Sequence, residues 1–181
     1  MGYTDTVEVG IIMGSSSDAR IMLEAARVLD GFGVLHEDLI VSAHRTPERL
    51  GDYARHAEEI GLRVIIAGAG GAAHLPGMIA SYTVVPVVGV PIMAYNDKEK
   101  GTSAFGGLDS LLSMSEMPAG SPVACVGVNK AANAGIYAAM VLAGSYPDLA
   151  DALHEYRHKK HDAVLEESEE LRKGGLAKFG A

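Results

Sequence analysis

Residues 7–32 read VEVGIIMGSSSDARIMLEAARVLDGF, and this stretch decides the fold. Positions 7–13 form a nearly unbroken apolar run, the pattern of a strand covered on both faces. A glycine and three serines interrupt it at Gly14, Ser15, Ser16 and Ser17. From Asp18 to Phe32 the residues Ile21, Met22, Ala25, Val28 and Leu29 then recur at three- and four-residue spacing, which predicts an amphipathic helix. Strand, Gly/Ser turn and helix together make the opening half of a β-α-β unit.

The same alternation runs on along the chain. Strands are predicted over 35–41, 64–67, 84–90 and 123–128, and helices over 47–60, 72–82, 108–115 and 131–145. Continuous Val/Ile strands, rather than alternating ones, between helices argue for a parallel sheet with helices on both faces. A charged helix over 149–172, with Leu149, Leu153 and Tyr156 at helical spacing, and a frayed GGLAKFGA tail close the chain. Residues 91–107 form a long polar loop, of the kind used as a lid or an interface element. No repeat or linker divides the chain. The expectation is one domain over 1–181, with a core at about 7–146 and the C-terminal helix and tail at 147–181.

Composition narrows the function. The 181 residues carry a net charge of −8 without any Lys/Arg run, so a nucleic-acid surface is not expected. Cys125 is the only cysteine, read as a buried thiol in a reducing cytoplasm. The N-terminus has neither a basic segment nor a long apolar run, and no stretch suits a membrane span. The expected location is cytoplasmic.

In an open parallel sheet, ligands bind beyond the carboxyl ends of the strands. Three segments dense in Gly, Ser and His fall there: GSSSD at 14–18, SAHRTP at 42–47 and GAGGAAHLPG at 68–77. The first presents hydroxyls and free amides at a helix N-terminus, which either binds an anion such as phosphate or simply caps the helix through Ser17 or Asp18. In the second, Arg45 has the fork geometry for phosphate, and His44 titrates where a proton shuttle must. The bland alternative is an exposed turn, with Thr46 capping and Pro47 opening the next helix. In the third, glycines allow close approach of a ligand to the backbone, and His74 is either a second proton carrier or an ordinary loop histidine. Gly68, Gly70 and Ala73 also match the spacing of a dinucleotide fingerprint, but no acidic residue ends the next strand. His154, His158 and His161 share a helix face at metal-like spacing, yet Arg157, Lys159 and Lys160 would repel a cation, and no metal site is expected.

Those three segments resemble the signature of the N5-carboxyaminoimidazole ribonucleotide mutase family. GSSSD is similar to its phosphate loop, SAHRTP to its catalytic loop and AGAGGAAHLPGM to its glycine-rich histidine loop. GVP at 89–91, GLDSLLS at 107–113, MPAG at 117–120 and AANAGIYAA fit as well, so the likeness spans about residues 7–160. It implies a three-layer α/β/α sandwich on a central parallel sheet, flavodoxin-like or Rossmann-like, with the C-terminal helix extending to neighbouring subunits of a homo-octamer. No metal and no organic cofactor is implied.

The resemblance also implies roles. Ser15, Asp18 and Arg45 would hold the ribose phosphate and ribose of a small-molecule substrate. His44 would be the acid/base, and His74 with the Gly70, Gly71 and Ala72 backbone would line the base and carboxylate pocket. With Ser17 and Ser42 from the same loops, the candidate substrate-binding set is Ser15, Ser17, Asp18, Ser42, Arg45, Gly70, Gly71 and Ala72, and the catalytic set is His44 and His74. The implied reaction is isomerisation of an aminoimidazole ribonucleotide carbamate to the ring-carbon carboxylate in purine synthesis. A sister branch, which carboxylates the aminoimidazole ribonucleotide directly with CO2, has Lys after the catalytic His and a GRSN-like segment in the third loop. Arg45 and Gly71-Ala72-Ala73-His74 favour the mutase branch over it, and a paralogue acting on a related ribonucleotide is the other alternative. The 91–107 loop is longer than in the usual member.

Overall fold

The computed structural model describes residues 6–93 and 105–178. Five strands form one all-parallel sheet in the order β2-β1-β3-β4-β5. They are β1 (Val9–Met13), β2 (His36–Ile40), β3 (Val64–Gly70), β4 (Val87–Ile92) and β5 (Ala124–Cys125). This order is the flavodoxin-like variant of the doubly wound sheet, with the change of winding direction between β1 and β3. The helices are α1 (Ala19–Gly31), α2 (Pro47–His56), α3 (Leu75–Ala80), α4 (Leu108–Ser115), α5 (Ala131–Ala143) and α6 (Pro147–Gly174).

Alternation along each strand builds two cores. Val9, Ile11, Val64, Ile66, Val88 and Val90 face α1, α5 and the start of α6. Ile12, Ile65, Ala67 and Val87 face α2, α3 and α4, against Leu50, Ile79 and Met114. The result is the expected three-layer sandwich. β1 and β3 are buried along almost their whole length because each has strands on both sides and helices above and below.

The edges depart from the sequence expectation. β2 reads HEDLI and is only half-buried, since an edge strand has one covered neighbour and admits charge. At the other edge, two residues of the expected 123–128 strand pair regularly. Beyond them Val126 and Asn129 donate to the carbonyls of Gly89 and Pro91 at 3.1 and 2.8 Å, so the chain still follows β4. Cys125, expected to be buried, is therefore only half-buried, although burial still raises its thiol pKa.

α6 docks through its first turns. Leu149 and Leu153 are buried, and Tyr156 meets Phe32 edge-on with ring centroids 5.5 Å apart. Every residue from 157 to 174 is exposed, Val164 and Leu165 included. Among the described residues no helix is long and apolar enough to cross a membrane. The polar centre of the long loop, with Tyr95, Asn96 and Lys100, lies outside the described residues.

Candidate active site

The loops after β1, β2 and β3 leave three adjacent strands at their carboxyl ends, and side chains tie them to one another. After β1 the chain makes a single 3-10 turn, Ser16–Asp18, before α1. Ser15 caps it: its Oγ accepts from the Ser17 amide at 3.4 Å, while Asp18, one of the two expected caps, occupies the N-cap position of α1 without a side-chain capping bond. The Ser17 hydroxyl donates to Asp18 Oδ1 at 3.2 Å. Asp18 is 8% exposed. Burial raises its pKa above the ordinary aspartate value, against the opposing effects of the Ser17 hydroxyl, a backbone hydrogen bond at Ser15 and the Arg45 charge.

After β2, Arg45 reaches back to this loop. Its Nη2 donates to the Gly14 carbonyl at 2.7 Å, and its Nε donates to Ser42 Oγ at 3.2 Å. The Arg45 amide donates to the same Ser42 oxygen at 3.3 Å. Ser42 is buried and its hydroxyl oxygen accepts from Arg45 twice, so it holds the guanidinium in place. Thr46 occupies the N-cap position of α2 but makes no side-chain capping bond. Its Oγ1 accepts from the Ser42 amide at 3.0 Å and donates to the Ser42 carbonyl at 3.1 Å, closing the loop on itself. Pro47 opens α2 as expected.

After β3 the backbone takes two left-handed steps, at Gly71 (φ 64°) and Ala73 (φ 44°). For Ala73, a non-glycine residue, that conformation costs on the order of 1 kcal/mol, and the surroundings must hold it. The Ala73 amide donates to the Gly70 carbonyl at 3.3 Å, which closes the turn. Ser113 of α4 donates its hydroxyl to the Ala72 carbonyl, a contact that no residue of the three loops announces. Ser113 lies within the GLDSLLS stretch, and the fit of that stretch to a family pattern was the only signal pointing to it.

His44 and His74 meet. His44 Nε2 and His74 Nδ1 are 2.8 Å apart, with the rings edge-on at 77° and centroids 5.0 Å apart. One of these nitrogens must donate and the other accept, so the contact survives at most three protons on the pair. Arg45 thus joins the second loop to the first, and His44 joins it to the third. All ten sequence-selected residues fall within this linked cluster of loops. The exposed histidines of α6 lie apart from it: His158 and His161 each bond Asp162, at 3.2 and 3.1 Å.

A buried carboxylate, a guanidinium braced on a helix-leading turn and an imidazole pair beside a glycine turn can hold a phosphorylated sugar and move a proton at its far end. The AIR carboxylase family model matches residues 8–163. The chain is 52% identical to the N5-carboxyaminoimidazole ribonucleotide mutase of Thermotoga maritima over 171 residues, covering 94% of this chain and 95% of that protein. It is 51% identical to the enzyme of the same name from Pyrococcus horikoshii, covering 94% and 92%. The crystal structure of Treponema denticola PurE superposes with a TM-score of 0.76 at 27% identity, covering 90% of this chain and 97% of that one. With a family model covering most of its length and relatives half identical to it, the chain belongs to the AIR carboxylase family.

Proposed function

We infer that this protein is an N5-carboxyaminoimidazole ribonucleotide mutase of purine biosynthesis, an isomerase that moves a carboxyl group from the exocyclic nitrogen to the ring carbon of its substrate. The observation that carries the reading is the position of His44. It reaches His74 beside a glycine turn that a planar ring can approach, while its neighbour Arg45 is bonded to a loop suited to phosphate. Ser15, Ser17 and Arg45 hold the phosphate, and Asp18 the ribose. Ser42 fixes Arg45, and the Gly70, Gly71 and Ala72 backbone receives the travelling carboxyl group.

The chemistry then needs one proton carrier. The carbamate C–N bond breaks, CO2 is released into the pocket, and His44 gives its proton to the departing nitrogen. The ring carbon attacks CO2, and His44 removes the proton from that carbon. No net proton is exchanged, as an isomerisation requires. Positioned acid/base catalysis contributes roughly 10²–10⁴-fold, and retention of CO2 beside its acceptor adds a proximity effect. His74 lines the pocket and orients His44. The protein acts as one domain in the cytoplasm and assembles as a homo-octamer, with the exposed part of α6 reaching neighbouring subunits.

The assay that decides between the mutase and the direct carboxylase supplies the carbamate substrate without bicarbonate and, separately, the free aminoimidazole ribonucleotide with it. Ring-carboxylated product should form in the first mixture. Turnover confined to the second would assign the protein to the direct carboxylases.

A further inference from the structure

α4 is fixed to the sheet by one serine and presents another to the glycine turn one helical turn later. Ser110 is fully buried, and its hydroxyl shares its single proton between the carbonyls of Ile92 at 3.1 Å and Gly107 at 2.9 Å. Met114, also fully buried, packs beneath Gly89 of β4. These contacts leave α4 little freedom to slide or rotate. Ser113 follows Ser110 by three positions and so lies on the same side of the helix. A helical serine commonly returns its hydroxyl to its own backbone. Ser115 does so, donating to the Leu112 carbonyl at 3.3 Å. Ser113 instead donates across 41 residues of sequence to the Ala72 carbonyl.

The recipient peptide stands between the two left-handed residues, Gly71 and Ala73. A carbonyl and the following amide share one rigid plane, so holding the Ala72 oxygen also fixes the direction of the Ala73 N–H. The segment after α4 braces the same region: Met117 packs against Gly77 of α3 so closely that a side chain there would collide with it. The turn's unusual backbone is thus held from outside.

We propose that Ser113 is a positioning residue for the reaction, holding the Gly70–Ala73 turn in the shape that receives the travelling carboxyl group. This rests on the function inferred above and assigns α4 a part in it. Ground-state affinity resides mainly in the phosphate loop, so loosening the glycine turn acts on the chemical step. Ser113→Ala should lower kcat for isomerisation about tenfold with KM within about threefold, because one hydrogen bond is lost and the reacting groups are less well placed. Ser113→Thr, which keeps the hydroxyl, should restore it. Hydrogen–deuterium exchange of the free protein supplies a readout independent of activity: amides at 70–74 should exchange at least tenfold faster in Ser113→Ala and at the wild-type rate in Ser113→Thr. Unchanged exchange in Ser113→Ala overturns the anchoring, and faster exchange with unchanged kcat overturns the positioning role. Failure of the wild-type protein to convert the carbamate substrate would instead remove the functional reading, and exchange would still decide whether Ser113 holds the turn.

Discussion

The imidazoles of His44 and His74 are 30 residues apart in sequence and 2.8 Å apart in space. A mechanism with a single shuttling proton makes them unequal. His44→Asn should lower kcat by at least 10²-fold with KM within a few-fold. His74→Asn should cost less, since His74 is exposed and water can take over its bond to His44. Steady-state kinetics on both variants checks the order. Arg45→Ala removes the guanidinium proposed to grip the phosphate and its link to Gly14, so substrate affinity measured by calorimetry should fall about tenfold or more, the loss of a charge-assisted contact. Asp18 gives a test in pH. Its folded pKa is raised, so the folded state binds this proton more tightly than the unfolded chain. The stability it contributes is complete below the unfolded value of about 3.8 and is lost as pH rises through the folded one. Asp18→Asn should therefore raise Tm at neutral pH, by an amount that shrinks as the pH falls toward 4, while weakening substrate binding. An equal Tm for the two proteins at pH 7 contradicts the assignment. These side chains were legible because Gly, Ser, His and Arg crowd beyond three strand ends. Ser113 was not, since a serine on a helix gives no sign in sequence of which distant carbonyl it will meet.

At the scale of elements, α1 and α5 lie so close that Gly135 has no room for a side chain. A Cβ there would stand 2.8 Å from the Ala25 carbonyl oxygen, and a backbone atom cannot rotate out of the way. Gly135→Ala should thus be destabilising: overpacking costs about 1–3 kcal/mol, against up to about 1 kcal/mol gained in helix propensity. A clear fall in Tm with activity retained at low temperature is the expected result. The helices were largely readable, since α1 and α4 follow the 3.6-residue apolar period, α5 is a helix-length run of small and apolar residues, and all three end within about two residues of expectation. The central strands read easily as runs of Val and Ile. The partial burial of β2, which lies at 36–40 as against 35–41 expected, and the short pairing of β5 were harder, because edge position follows from the order of the whole sheet. α3 proved shorter than 72–82, because the left-handed Ala73 delays its start.

The whole molecule leaves apolar side chains uncovered on α6, including Val164, Leu165 and Leu171, at 62%, 53% and 38% exposure. A charged helix that carries such residues beyond its docked turns suits burial against other copies of the chain. Light scattering should report about eight times the chain mass of 18.9 kDa. A monomer at micromolar concentration would contradict this, and ending the chain at residue 160 should lower the assembled mass while the sheet stays folded. Composition alone supplies no subunit number, because symmetry is a property of surfaces in contact. The strand order has a last consequence. β2, β1 and β3 are immediate neighbours, and adjacent strands lie about 4.8 Å apart, so the three loops span about 10 Å along the sheet edge. The sheet is in effect a ruler whose graduations are its own hydrogen bonds. It sets the spacing at which the proposed phosphate loop, in the middle, faces the His44 loop on one side and the glycine turn on the other.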